Sequence, residues 1–218
     1  MSNVAQIRAL TVVLLGDFNP TIFQPSWFAA EGLLTEEEAK IATINVVHPD
    51  VTSFELPWVR FTIERERFMA ASLAQPYFER LAGSVCAAFD LLRHTPIHMF
   101  GINNEAHFRA VSIEKWHALG HKLAPKEFWQ TYFDAPGMQN LTIRQIPRPD
   151  GLNGHVQITV EPSERIKPGV YIGVNDQFQE VDGKAMGARR AIELLREKWS
   201  ATSDFSEKVF QDISQQVA

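Results

Sequence analysis

Cysteine is almost missing from this chain: Cys86 is the only one in 218 residues. A lone thiol excludes an intramolecular disulfide and any zinc or iron–sulfur centre built from several cysteines. It fits a reducing compartment. Long apolar runs are missing too. The run around Leu10–Leu15 in "MSNVAQIRALTVVLLGDFNP" is too short to span a bilayer, and Asp17, Asn19 and Pro20 follow at once. No small-residue cleavage site lies behind it, so it reads as a strand rather than a signal peptide. The expectation is a cytoplasmic protein with no membrane partner.

Concentrated positive charge is also lacking. Lys and Arg number 21 against 26 Asp and Glu, a formal charge of −5. The bases are scattered in ones and twos, as at Arg65/Arg67 and Arg189/Arg190. A nucleic-acid binder needs a basic stripe, so that class is set aside. Glycine-rich phosphate loops and a G-x-S-x-G elbow are absent, which removes the main sequence support for nucleotide-binding and hydrolase readings.

What is present is an ordinary globular composition, 45% hydrophobic and 22% charged. Short strand signals bounded by Pro, Gly or Asn alternate with amphipathic helices. "ALTVVLLGDF" opens as a strand. "PSWFAAEGLLTEEEAKIA" reads as two helical pieces, with Thr35 capping the second and Glu36, Glu37 and Glu38 in its first turn. "ATINVVHPDVTSFEL" is extended. "WVRFTIERERF" is a period-2 strand with Val59, Phe61 and Ile63 on one side.

"PYFERLAGSVCAAFDLLRH" follows as a helix whose stripe is Leu81, Val85, Ala88, Phe89 and Leu92, with Cys86 off it. "PIHMFGINNEAHFRAV" is a strand in which Asn103-Asn104 reads as a bulge or turn, and Ser112 caps the next helix. "NLTIRQI", "GHVQITVEPS" and "GVYIGVNDQFQEV" are three further strands, with Asn175-Asp176 ending the last. Asp150-Gly151 and Asp182-Gly183 read as turns. "AMGARRAIELLREKW" and "DFSEKVFQDISQQ" read as a long helix and a separate short one. Strands grouped ahead of helices predict an α+β fold with antiparallel sheet, as one domain of two pseudo-repeated halves, about 1–136 and 137–218. A long amphipathic helix follows the strands of each half.

The strongest chemical pattern is "IEKWHALGHKL", where His117 and His121 stand three and seven positions after Glu114. His at i and i+4 can chelate a metal, and Glu-x-x-His is a helix module of di-iron sites. The second Glu-x-x-His that a di-iron site needs is absent. Ala118 stands where a zinc protease carries Glu. With Ile113, Trp116, Gly120 and Leu123 as the core stripe, both histidines fall on the helix shoulder. Glu105 and His107, just upstream, complete a candidate ligand or metal set with Glu114, His117 and His121. No cofactor is assigned.

Aromatic density near loops exceeds background. "FNPTIFQPSWF" supplies Phe23, Trp27 and Phe28, and "KEFWQTYF" supplies Trp129 and Tyr132, as candidate interface residues.

The run "VRFTIERERFMAASLAQPYFERLAGSVCAAFDLL", followed by "IHMFGINNEAHFRA", resembles an uncharacterised, sporadically distributed bacterial family. The later "VYIGVNDQF" before a long helix resembles that family's second half. The resemblance covers about half the chain and lacks the family's arginine-containing strand motif. It implies a two-repeat α+β layout and supplies no catalytic residue.

Together these features predict a non-enzymatic protein that binds a protein partner or itself through sheet edges and aromatic helix surfaces. The alternatives are an enzyme or ligand-binding protein with a site near Glu105, His107, His117 and His121, and a chaperone-like subunit for one client.

Overall fold

Strand β1 (Ile7–Gly16) sets the two faces of the sheet: Leu10, Val12 and Leu14 are buried, while Thr11, Val13 and Leu15 are half-exposed. The computed structural model describes residues 3–180 and 185–218. After β1 come the short helices α1 (Pro25–Ala30) and α2 (Glu36–Ile41). Thr35 and Glu38 close a capping box on α2, each side chain bonding the other's backbone N–H. A meander follows: β2 (Thr43–His48), β3 (Val51–Leu56), β4 (Val59–Glu64) and β5 (Arg67–Ser72), then α3 (Phe78–Leu91).

The remaining elements are β6 (Ile97–Arg109), α4 (Ile113–Leu123), β7 (Leu141–Gln145), β8 (Gly154–Pro162), β9 (Gly169–Gln179) and α5 (Gly187–Ser214). Among the described residues nine strands join one sheet in the order β2-β3-β4-β5-β1-β6-β9-β8-β7. Every neighbouring pair is antiparallel, as the strand patterns predicted. The fold is α+β.

Most of the buried side chains form two apolar clusters. The larger joins Leu10, Val12 and Leu14 of β1 to a phenylalanine-rich layer (Phe23, Phe28, Phe54, Phe61, Phe68, Phe89) and to α3 and the first half of α5. The smaller joins Phe108, Val170, Ile172 and Val174 to Leu119, Val209 and Phe210. Between them runs a buried polar belt of Asn104, Asp176, Thr202 and Ser206. Such groups cost free energy unless hydrogen-bonded. Thr202 donates to Asp176, and Ser206 donates to the Thr202 carbonyl at 2.8 Å.

Several elements differ from the sequence reading. "WVRFTIERERF" is two strands with a turn at Arg65-Glu66, the middle of a run of four charged residues, Glu64 to Arg67, that reaches solvent at the end of the hairpin. The alternation survives the turn, since Ile63 pairs with Phe68 and both are buried. The two C-terminal helices are one, of 28 residues. Its Ser- and Thr-rich middle stays helical because Thr202 and Ser206 find partners in the polar belt.

Asn103-Asn104 makes no bulge, and β6 keeps regular register through both residues. Asn175-Asp176 likewise lies within β9 rather than ending it. Cys86, off the main stripe of its helix, is nonetheless buried, since α3 is covered by α5 as well as by the sheet. On α4 the buried residue is Leu119, and Ile113 is exposed. Gly151 takes φ of 73° in its turn, whereas Asp182-Gly183 lies outside the described residues.

Candidate functional site

The five candidate ligands fall in two places. Glu105 and His107 sit on β6 with side chains toward the face opposite Asn104 and Ala106, as period-2 alternation requires. Glu105 pairs across the sheet with Gly173. The Tyr171 phenol lies over Gly173, so close that a Cβ there would meet its oxygen at 2.7 Å. This close approach explains the glycine and brings the phenol to the Glu105 carboxyl. Burial pushes the Glu105 carboxyl above its usual range, against the downward pull of Arg165 and the Tyr171 hydroxyl. Burial and the neighbouring Glu105 raise the Tyr171 phenol as well.

His107 Nδ1 is 2.8 Å from Ser163 Oγ, a spacing that invites a nucleophile–base reading. The hydrogen bonds argue otherwise. Ser163 Oγ already accepts from the backbone N–H of Arg165 at 3.2 Å and of Ile166 at 3.0 Å. With both lone pairs engaged, its one proton goes to His107 Nδ1, which makes the imidazole neutral with Nε2 protonated. Burial, then Arg165, hold the His107 pKa below its usual value. Ser163 is 4% exposed. The pair ties the β8–β9 loop to β6, and the serine oxygen would have to give up both backbone N–H groups before it attacked.

The other three candidates lie on α4. Glu114 stands in the first turn of α4, whose cap is Ser112, and hydrogen bonding with Ser112 lowers its pKa. His117 and His121 are exposed, as a helix shoulder predicts, and both line a cavity of about 390 Å³. Neither Glu105 nor His107 lines it, so the proposed set is not one site. Among the described residues no group of three or more His, Cys, Asp or Glu is placed to hold a metal.

The two aromatic segments part company in the structure. Phe23 and Phe28 belong to the core, where they contact Phe68, Phe54 and Phe61; they are not surface residues. Trp27 is half-buried with its ring edge-on to both. The prolines Pro20 and Pro25 turn this loop inward, and both are buried. In the second segment Phe128, Trp129, Tyr132 and Phe133 are 66%, 47%, 64% and 59% exposed. They cluster about a single 3-10 turn, Trp129–Thr131, with Phe128 packed on Trp129 and Tyr132. Trp129 and Phe133 also line a cavity of about 500 Å³ with residues 135–140, which lead directly into edge strand β7.

Among the described residues both sheet edges, β2 and β7, are paired on one side only. Ile44 and Val47 are exposed on β2, as is Ile143 on β7 with Ile146 just beyond.

Three features escaped the sequence reading. Lys126 is buried in the wall of both cavities. Arg148 and Asp176 form a buried ion pair. A polar row crosses the open face of the sheet in register: Thr11, Asn103, Asn175, Gln157 and Arg144. Within it Asn175 Nδ2 donates to Asn103 Oδ1 at 2.6 Å, and Arg144 donates twice to Gln157 Oε1, at 2.7 and 3.0 Å. Asp176 was detectable in principle: it holds an inward position between Val174 and Phe178, where a charge demands a partner.

No protein-family model matches the chain, and no curated protein matches it. Among the described residues no helix is long and apolar enough to cross a membrane.

Proposed function

We propose that this is a non-enzymatic, cytoplasmic interaction or assembly protein that binds a protein partner or a second copy of itself through the Phe128–Phe133 surface and the adjoining β7 edge. The observation that carries this reading is the four-aromatic cluster, exposed on a segment that leads into a strand with one open edge. Exposed apolar groups gathered in one place mark contact surfaces, and an open edge offers main-chain hydrogen bonds to an added strand. The bonding of the Ser163–His107 pair weighs against one nucleophilic alternative. A chaperone-like role for one client would use the same surface and would show as solubilisation of that client.

The test is recovery of a co-expressed partner, with solution mass measured alongside, for the wild-type chain and for Trp129→Ala/Tyr132→Ala. A complex or oligomer lost in the double variant supports the proposal. A wild-type chain that stays monomeric and recovers no partner overturns it.

We also infer two pseudo-repeated halves. The support is an order that recurs: one strand, helix, a meander and a longer helix, first from β1 to α3 and again from β6 to α5. In that reading the two leading strands pair at the centre of the sheet, and the halves divide before Ile97 instead of at about 136/137, where the sequence reading divides them. Kinship with the sporadically distributed bacterial family rests on the same order of elements.

A further inference from the structure

We infer that the cavity beneath α4 binds a small amphiphilic monocarboxylate whose carboxylate is held by Lys126. Lys126 is 6% exposed, and its ammonium has three N–H donors. One donor reaches the Gly120 carbonyl at 3.3 Å. Among the described residues Lys126 makes no other hydrogen bond and lies in no ion pair. With two donors that no protein group takes up, the amine is free to bind an acceptor in the cavity, above all an anion.

The space to receive that anion adjoins it. Lys126 lines the cavity of about 390 Å³, a size within the usual range for small-ligand sites. Trp116, Leu119, Met138 and Val170 supply its apolar wall. Trp116 is fixed there by its indole N–H, which donates to the Gly169 carbonyl at 2.8 Å. His117 and His121 stand at the exposed side and can add donors.

Two carboxylates also line the cavity, and they decide the class of anion. Asp134 is exposed, so water and salt screen it, while Glu161 is engaged by the Asn140 side chain. Among the described residues Lys126 is the one lysine or arginine lining the cavity, matched to a single carboxylate, and the two carboxylates disfavour a dianion such as phosphate. An aliphatic acid satisfies both the amine and the apolar wall.

The test is calorimetric titration of the full chain with octanoate, octanamide and inorganic phosphate. Octanoate should bind saturably, at least tenfold tighter than either of the others. In Lys126→Met, which keeps an unbranched side chain one atom shorter and removes the charge, octanoate affinity should fall at least tenfold while octanamide binding is unchanged. Equal binding of octanoate and octanamide, tighter binding of phosphate, or no octanoate binding would overturn the inference. If Lys126→Met does not fold, the ratio of octanoate to octanamide on the wild-type chain decides alone. The inference stands apart from the interaction surface, because Tyr132→Ala alone, at a residue that lines neither cavity, should leave octanoate affinity intact.

Discussion

The guanidinium of Arg148 and the carboxylate of Asp176 face each other inside the protein, with side chains only 4% and 8% exposed. Arg148 comes from the loop between β7 and β8, and Asp176 from the middle of β9. Arg148 also donates to the Gln177 carbonyl at 3.0 Å, grips Asp150 at 3.0 and 3.1 Å, and stacks 3.8 Å above the Phe178 ring. Thr202 of α5 donates to the second Asp176 oxygen, and Lys198 of α5 lies 3.6 Å from Asp150. One arginine therefore ties a loop, the sheet and the longest helix together.

Removing one partner of such a pair strands the other charge in the interior. Arg148→Ala should cost about 3–5 kcal/mol, read as a lower urea midpoint. Replacing both charges, as Arg148→Met with Asp176→Leu, should recover a large part of that loss. A double variant as unstable as the sum of its parents would show that the pair's hydrogen bonds, rather than stranded charge, dominate. Asp150 adds a pH signature. Hydrogen bonding from Arg148 lowers its carboxyl below 3.8, so its stabilisation is present above that value and lost as pH falls through the folded pKa. Arg148→Ala should flatten the acid limb of the stability profile.

Glu105 carries the opposite sign. Its folded carboxyl is raised above 4.5 by burial, so the folded chain holds a proton that the unfolded chain has released. Stability from this group is greatest at low pH and falls as pH rises from about 4.5 through the folded pKa. Glu105→Gln keeps the shape and removes the titration. Its melting temperature should equal or exceed wild type at pH 7, and the difference should shrink toward pH 4. A variant less stable than wild type at both pH values would show that Arg165 and Tyr171 outweigh burial.

The sequence carried the layout well where side chains alternate cleanly. Val59, Phe61 and Ile63 are buried, and Thr35 caps α2 by the side-chain pattern its neighbours imply. It carried poorly what depends on distant partners. Asn103 and Asp176 look like strand breakers in a local window, yet each is held within its strand by a residue 72 or 28 positions away. The same holds for surface assignment. Phe23 and Phe28 sit in a loop-like segment, but two buried prolines and the phenylalanine layer draw them inward. Phe128 to Phe133 have no such layer above them. The histidines of α4 were placed on the helix shoulder by periodicity alone, whereas Lys126, the buried charge beside them, follows the helix and has no local pattern.

Cys86 tests how tightly α3 and α5 close. Burial pushes its thiol up to about 11, so little reactive thiolate exists at neutral pH. Labelling by a disulfide reagent at pH 8 should be at least tenfold slower than for an unstructured cysteine peptide. It should accelerate in urea across the unfolding transition. Immediate labelling of the native chain would mean that the α3–α5 contact opens readily.

The exposed aromatics and the buried ones should separate in the same stability assay. Phe28 is fully buried among other phenylalanines, and Phe28→Ala should cost about 3–5 kcal/mol through the cavity it leaves. Trp129 and Tyr132 contact water over about half their surface or more, so Trp129→Ala/Tyr132→Ala should shift stability by about 0.5 kcal/mol or less. If the aromatics serve binding, that double variant should keep the wild-type circular dichroism spectrum and melting temperature while losing the complex or oligomer. Destabilisation comparable to Phe28→Ala would instead mean that the segment is packed in solution, and the surface would lose its claim as a contact site.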